Sequence, residues 1–143
     1  MNQELDNLIK RLKANDVTLT SINLFDNNIG TEGARALAKA LQENKTVTSI
    51  DLGYNDIEVE GARALAKALQ TNTTLTSIDL FDNNIGTEGA RALAKALQEN
   101  KTVTSIDLGD NNIGDGVQKN IQAAIDDNKR IKAERLIPNP IFK

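Results

Sequence analysis

Apolar residues recur along this chain with two different periods, and the two periods alternate. Ile22 and Leu24 are separated by one polar residue, with Ser21, Asn23 and Phe25 between and beside them. That alternation puts Ile22 and Leu24 on one face of a short strand and their neighbours on the other. Farther on, Ala34, Leu37, Ala38 and Leu41 follow the i, i+3, i+4, i+7 spacing of one helix face. Arg35, Lys39, Gln42 and Glu43 fall on the opposite face. Thr31 stands where a helix N-cap is expected, Glu32 suits the positive helix start, and Asn44 is the expected left-handed C-cap.

This strand-then-helix unit repeats. Leu19, Val47, Leu75, Val103 and Ile131 are each 28 residues apart. The chain therefore divides into an N-terminal segment 1–18, four repeats at 19–46, 47–74, 75–102 and 103–130, and a tail 131–143. The first repeat opens Leu19-x-x-Ile22-x-Leu24-x-x-Asn27-x-Ile29. The others open with Val47, Ile50, Leu52, Asn55 and Ile57; Leu75, Ile78, Leu80, Asn83 and Ile85; Val103, Ile106, Leu108, Asn111 and Ile113. One such strand and helix cannot bury their apolar faces alone, so neighbouring units must stack into a solenoid. Strands sit about 4.8 Å apart and helices about 8–10 Å apart, so the stack bends with its sheet on the inside.

The string L-x-x-I-x-L-x-x-N-x-I, followed by Gly33, Leu37 and Leu41, resembles the leucine-rich repeat. Its 28-residue length and helical half are similar to the ribonuclease-inhibitor-like class, which NOD-like receptors and Ran GTPase-activating proteins share. The resemblance implies an α/β right-handed solenoid, an open horseshoe arc with a concave parallel β-sheet and convex helices. It also implies that Asn27, Asn55, Asn83 and Asn111 form a buried ladder whose amides satisfy backbone groups of the turns. In this family the concave face is the usual ligand surface. Repetition of the motif specifies the fold far more strongly than the function.

An open solenoid exposes its core at both ends. Leu5, Leu8, Ile9 and Leu12 share one helical face, so residues 3–14 are expected to form an amphipathic N-terminal capping helix. The fourth repeat drifts polar: Val117 replaces a glycine and Gln118 an inward alanine. In the tail, Ile131 and Leu136 keep the strand pattern while Glu134 takes the place of Ile22. A partial fifth strand bearing Glu134 and Arg135 is expected there, blunted by charge. Pro138-Asn139-Pro140 then stops regular structure, leaving Ile141 and Phe142 to fold back or lie free.

Composition narrows the function. The chain has no Cys, His or Trp. Disulfides, thiolate nucleophiles, zinc–sulfur sites and histidine acid–base chemistry are excluded with those residues. Aromatics are only 3% of the chain, so the core must be aliphatic. No apolar run is long enough to span a membrane, and the N-terminus lacks the basic and apolar regions of a secretory signal. A cytoplasmic protein is expected, with delivery into a host cell also compatible. The net charge of −3 and the lack of aromatics among the basic residues argue against nucleic acid. Three Asn-x-Thr triplets, at Asn44, Asn72 and Asn100, recur with the helix ends and are read as structural. Asp26-Asn27-Asn28-Ile29-Gly30 lacks the spacing of a calcium loop, so no metal or cofactor is expected.

The concave columns carry the candidate chemistry. They read Ser21, Ser49, Ser77, Ser105; Asn23, Asp51, Asp79, Asp107; Phe25, Gly53, Phe81, Gly109; and Asp26, Tyr54, Asp82, Asp110. Phe25 and Phe81 are expected about 10 Å apart with Tyr54 between them. Exposed aromatics on a rigid sheet are binding hot-spot material. Stacked carboxylates repel one another and favour a basic partner. The candidate site is thus Phe25, Asp26, Asp51, Tyr54, Asp79, Phe81, Asp82, Asp107 and Asp110. A plainer reading makes the Asp columns solubility devices and lets the Phe rings cover aliphatic neighbours. Arg35, Lys39, Arg63, Lys67, Arg91 and Lys95 form a convex basic stripe, read as a solvated helix face.

These features point to a monomeric, non-enzymatic module that binds a basic protein or peptide. On an open sheet nothing is expected to raise one carboxyl pKa above another, as general acid–base catalysis requires. Regulation of a GTPase or another nucleotide-hydrolysing enzyme is the alternative offered by the Ran GTPase-activating relatives, and no residue matches it. Residues 19–53 and 75–109 differ only at Asn23 against Asp79. That near-identity marks either recent duplication of a 56-residue unit or an engineered repeat scaffold. The irregular segment 53–59 and the untidy tail favour a natural gene.

Overall fold

The computed structural model describes residues 2–137. Helix α1 (Gln3–Lys13) precedes four strand–helix units. These are β1 (Ser21–Asn23) with α2 (Gly30–Leu41), β2 (Ser49–Asp51) with α3 (Glu58–Thr71), β3 (Ser77–Asp79) with α4 (Gly86–Glu99), and β4 (Ser105–Asp107) with α5 (Asp115–Leu136). The strands form one parallel sheet in chain order, β1-β2-β3-β4. Its register follows the 28-residue period: Ser21, Ser49, Ser77 and Ser105 are paired in turn. Ile22, Ile50 and Ile78 point inward and are buried, and the helices contribute Leu37, Leu65, Leu93 and their alanine neighbours to the same aliphatic core. Each helix packs on the next, from α1 to α5.

The capping helix buries Leu5, Ile9 and Leu12 against the first repeat. Asn2 caps it by accepting from the Leu5 amide at 2.7 Å. Beyond its end, Asp16 accepts hydrogen bonds from Thr18 and Arg11, in that order of effect, which hold its carboxyl down at about 2.

Two asparagine columns fasten the stack. In the loops, Asn55 Nδ2 donates to the carbonyls of Leu24, Leu52 and Gly53, while its Oδ1 accepts from the Asn27 and Ile29 amides. Asn83 and Asn111 repeat this and are buried, whereas Asn27, at the start of the ladder, is exposed. The second column differs from its sequence reading. Asn44, Asn72 and Asn100 are not left-handed caps; the φ angles at Asn72 and Asn100 are −71° and −74°. Each instead bridges repeats. Asn44 Nδ2 donates to the Leu12 carbonyl, and its Oδ1 accepts from the Thr46 and Val47 amides. All three are buried, so the Asn-x-Thr triplets are structural. Thr31 also departs from expectation. It makes no cap, and its hydroxyl donates across the stack to the Ile57 carbonyl at 3.0 Å.

The largest departure is at the C-terminal end. No partial fifth strand forms at 131–136, because α5 continues unbroken through those residues for a length of 22 residues. Lys129, Arg130, Lys132, Ala133, Glu134 and Arg135 are strong helix formers, and Arg130 ties the turn to both Asp127 and Glu134. The expected positions of Pro138 to Phe142 lie outside the described residues. Among the described residues no helix is long and apolar enough to cross a membrane.

Candidate functional site

Each concave strand ends in a tight turn, and the polar column at its last position builds that turn. The Oδ1 of Asp51, Asp79 and Asp107 accepts the amide two residues on, from Gly53, Phe81 and Gly109, at 2.9 Å in each case. Asn23 does the same for Phe25 at 3.1 Å. These Asx turns explain the column without a ligand, yet each carboxylate keeps its other oxygen for a partner. Among the described residues none of Asp51, Asp79 and Asp107 has a cation in ion-pair contact.

The column is not electrostatically uniform. Asp79 is flanked on both sides by carboxylates, and its pKa is raised, first by partial burial and then by Asp51 and Asp107. This corrects the expectation that an open sheet raises no carboxyl above another. The sheet is open, but its middle strand is partly desolvated by its neighbours.

Just past the strands, Asp26, Tyr54, Asp82 and Asp110 all take left-handed backbone angles, with φ between 51° and 56°. Asp tolerates that region because its side chain bonds locally; an aromatic there is unusual. Tyr54 is therefore held in place by its surroundings rather than by local preference. Its ring packs edge-on against Phe25, with centroids 5.2 Å apart and planes at 72°. On the other side it meets Phe81 at 5.4 Å and 60°. The three expected aromatics thus form one continuous ridge across three strands. Phe25 and Tyr54 remain 48% and 43% exposed, far above the core.

Each Phe ring lies over the glycine of the next strand. A Cβ on Gly109 would come within 2.8 Å of the Phe81 ring, and one on Gly53 within 3.1 Å of the Phe25 ring. The Phe/Gly alternation gives this surface a two-repeat period. Of the nine expected site residues, the structure gathers Phe25, Tyr54 and Phe81 into the ridge and sets Asp51 and Asp79 beside it. Asp26 and Asp82 stand at the loop positions flanking Tyr54. Asp107 ends β4 at the far edge of the sheet, and Asp110 lies in the turn just past it.

On the convex face, Arg35, Arg63 and Arg91 each pair with the glutamate one turn earlier, Glu32, Glu60 and Glu88. The arginines of that stripe are thus paired within their own helices, while Lys39, Lys67 and Lys95 have no ion pair among the described residues. Among the described residues no group of His, Cys, Asp or Glu is placed to hold a metal ion.

The sequence profile of the TMOD/LMOD leucine-rich domain matches residues 2–133. The chain belongs to that family. Its leucine-rich architecture and its standing as a non-enzymatic domain follow from that membership. Similar solved structures agree in fold. Leiomodin-1 Actin-Binding Site 2 superposes with a TM-score of 0.80 at 21% identity, covering 94% of this chain and 95% of that one. The Caenorhabditis elegans tropomodulin C-terminal domain superposes at 0.60 and 17% identity, covering 94% and 99%. Comparison with curated protein sequences gave no match. This TMOD/LMOD leucine-rich domain therefore shares its relatives' backbone while its ridge and columns are read from its own residues.

Proposed function

We propose that this domain is a protein-recognition module that grips a basic segment of its partner with the concave face. The observation that carries the reading is the Phe25–Tyr54–Phe81 ridge. Phe25 and Tyr54 are exposed and Phe81 half-buried; the rings are prearranged by their packing and bordered by carboxylates that have no counter-ion among the described residues. A partner lysine or arginine laid across the ridge meets aromatic faces and carboxylates together, a combination that favours a cation. Helices of 12 to 14 residues in α2, α3 and α4 also support reading the repeat as the ribonuclease-inhibitor-like class.

The similar leiomodin-1 domain is an actin-binding site, so actin is the first partner to test. Binding of monomeric and filamentous actin would be measured for the unaltered chain and for a Phe25→Ala, Tyr54→Ala, Phe81→Ala variant with native circular dichroism. A loss of about tenfold or more in the variant supports the ridge as the working surface. Equal affinity of the two proteins sinks the concave-face reading. Binding of arginine-rich peptides but not actin would keep the surface and replace the partner.

A further inference from the structure

Two rows run side by side across the strands of the concave face. One is the ridge of Phe25, Tyr54 and Phe81. The other is the column of Asp51, Asp79 and Asp107, in register on adjacent strands. The rows are neighbours because each aspartate braces the turn that leads into the ridge. Asp79 Oδ1 accepts the Phe81 amide, and Asp51 Oδ1 accepts the Gly53 amide beside Tyr54. The ring centroids step by 5.2 and 5.4 Å. The carboxylates step by one strand, about 4.8 Å. Both steps are fixed by the hydrogen bonding of the sheet.

That step discriminates between the conformations of a bound segment. An extended segment laid across the strands presents every second side chain to the face, at intervals of about 6.6–6.8 Å. After two intervals it has advanced about 13 Å, whereas two strand steps measure about 10 Å. Its third side chain therefore overshoots its row by more than half a step. An α-helix laid the same way presents positions i, i+4 and i+7. At 1.5 Å per residue these span about 10.5 Å, in steps of about 4.5–6 Å. Three side chains of one helical stripe thus fall on three successive strands.

Backbone chemistry selects in the same direction. The strands direct their amides and carbonyls at one another, so the face of the sheet offers a bound chain side chains only. An extended segment pressed onto the ridge would lose water from its own amides and carbonyls and find no backbone partner there. A helix arrives with those groups already paired. The sign of the ligand follows from charge. Asp51, Asp79 and Asp107 have no counter-ion among the described residues, and Asp26 and Asp82 flank Tyr54 in the adjoining turns.

We propose that the occupant of the concave face is a basic α-helix of the partner protein, laid across the strands with lysine or arginine at i, i+4 and i+7 over the acid column and the apolar side chains of the adjoining stripe on the aromatic ridge. The inference rests on the concave face being the binding surface, and it adds the conformation and spacing of what binds there. Three basic residues meet three carboxylates, one to a strand, and the repulsion within the column is relieved. The apolar stripe meets the rings, which its partner cations approach from the side of the carboxylates. The four strands span about 15 Å, which is about ten helical residues. A helix that short is marginal alone, so it is presented by a folded partner.

The whole chain supplies its own reporter. Tyr54 is its one tyrosine and it has no tryptophan, so intrinsic fluorescence reads the ridge directly. Three synthetic peptides of equal length and charge are the probes. The first is held helical by a side-chain lactam, with arginines at i, i+4 and i+7 and leucines on the adjoining stripe. The second is the same locked helix with its arginines spread around the axis. The third carries arginines at alternate positions of an extended, β-branched chain. The first peptide should change Tyr54 fluorescence and bind about tenfold or more tighter than either of the others. A Phe25→Ala, Phe81→Ala variant that keeps Tyr54 and native circular dichroism should lose about tenfold or more of that affinity. Equal or tighter binding of the extended peptide, with a Tyr54 response, overturns the helix and leaves the basic-segment reading standing. Equal binding of the two helices shows attraction by charge alone and overturns the spacing. No Tyr54 response to any of the three removes both readings.

Discussion

The two faces of this solenoid carry charge with the same 28-residue period, and they handle it in opposite ways. On the convex face each arginine closes an ion pair with a glutamate of its own helix. On the concave face the charges that recur are all acidic, and they stack strand over strand. The helix offers a neighbour of opposite sign one turn away, whereas the sheet offers only the same column of the next repeat. Repetition therefore pairs the arginines of one face and loads the other with unpaired acid. A periodic charge is a functional sign only where the fold prevents it from being cancelled locally.

The comparison breaks most severely if the frame under the concave face is removed. Asn55→Ala would strip the Asn27 and Ile29 amides of their acceptor and is expected to cost about 2–4 kcal/mol. Asn27→Ala, at the exposed start of the same ladder, should cost about 1 kcal/mol or less. Urea unfolding of the two variants checks the difference. Next in size is Gly109→Ala, whose Cβ would fall 2.8 Å from the Phe81 ring. The ring must swing away, with an expected loss of about 1 kcal/mol and a change in tyrosine fluorescence as Phe81 leaves Tyr54.

Smaller, and opposite in sign, is Asp79→Asn. Asp79 holds its proton to higher pH in the folded chain than in the unfolded one. The stability from the protonated form is present below the unfolded value of 3.8 and is lost as pH rises through the folded value. Ionised Asp79 is thus a cost at neutral pH. The variant keeps the turn acceptor, as Asn23 does in the first repeat. It should be more stable than the parent at pH 7 by about a few tenths of a kcal/mol, after allowance for solvent screening. Thermal melts should show the advantage shrinking as pH falls through the raised folded value and levelling off below 3.8. Smallest are the convex substitutions. Arg35→Ala, Arg63→Ala and Arg91→Ala should each shift stability by less than about 0.5 kcal/mol and leave partner affinity unchanged. A large effect there would erase the distinction between the faces.

Much of this architecture is legible from residue spacing because it depends on neighbours one period away. Ile22, Ile50 and Ile78 alternate with polar residues, so strand, face and register follow from counting. The aromatic ridge is legible for the same reason: Phe25, Tyr54 and Phe81 sit at fixed steps across a parallel sheet. What counting misses is settled by local competition. At 129–136 the repeat phase points to strand, while the backbone prefers helix and Arg130 binds its own turn. Asn44 and its counterparts follow helices and resemble caps, but their buried amides reach 31 or 32 residues back to the carbonyls of Leu12, Leu41 and Leu69. The Asp51 column is an acidic surface from outside and a set of turn braces from within. Spacing alone does not separate those roles. The strain at Tyr54 is equally silent in sequence: the column shows an aromatic among aspartates, but only the backbone angle shows that the position is left-handed.

The seating of Phe25 over Gly53 and Phe81 over Gly109 also governs how such a chain can grow. Inserting a single 28-residue unit would set ring against ring or glycine against glycine and open a step in the ridge. Inserting 56 residues preserves every ring-on-glycine seat. The pair of repeats is therefore the unit whose insertion leaves the surface seamless, and 56 residues is the offset between 19–53 and its near-copy at 75–109.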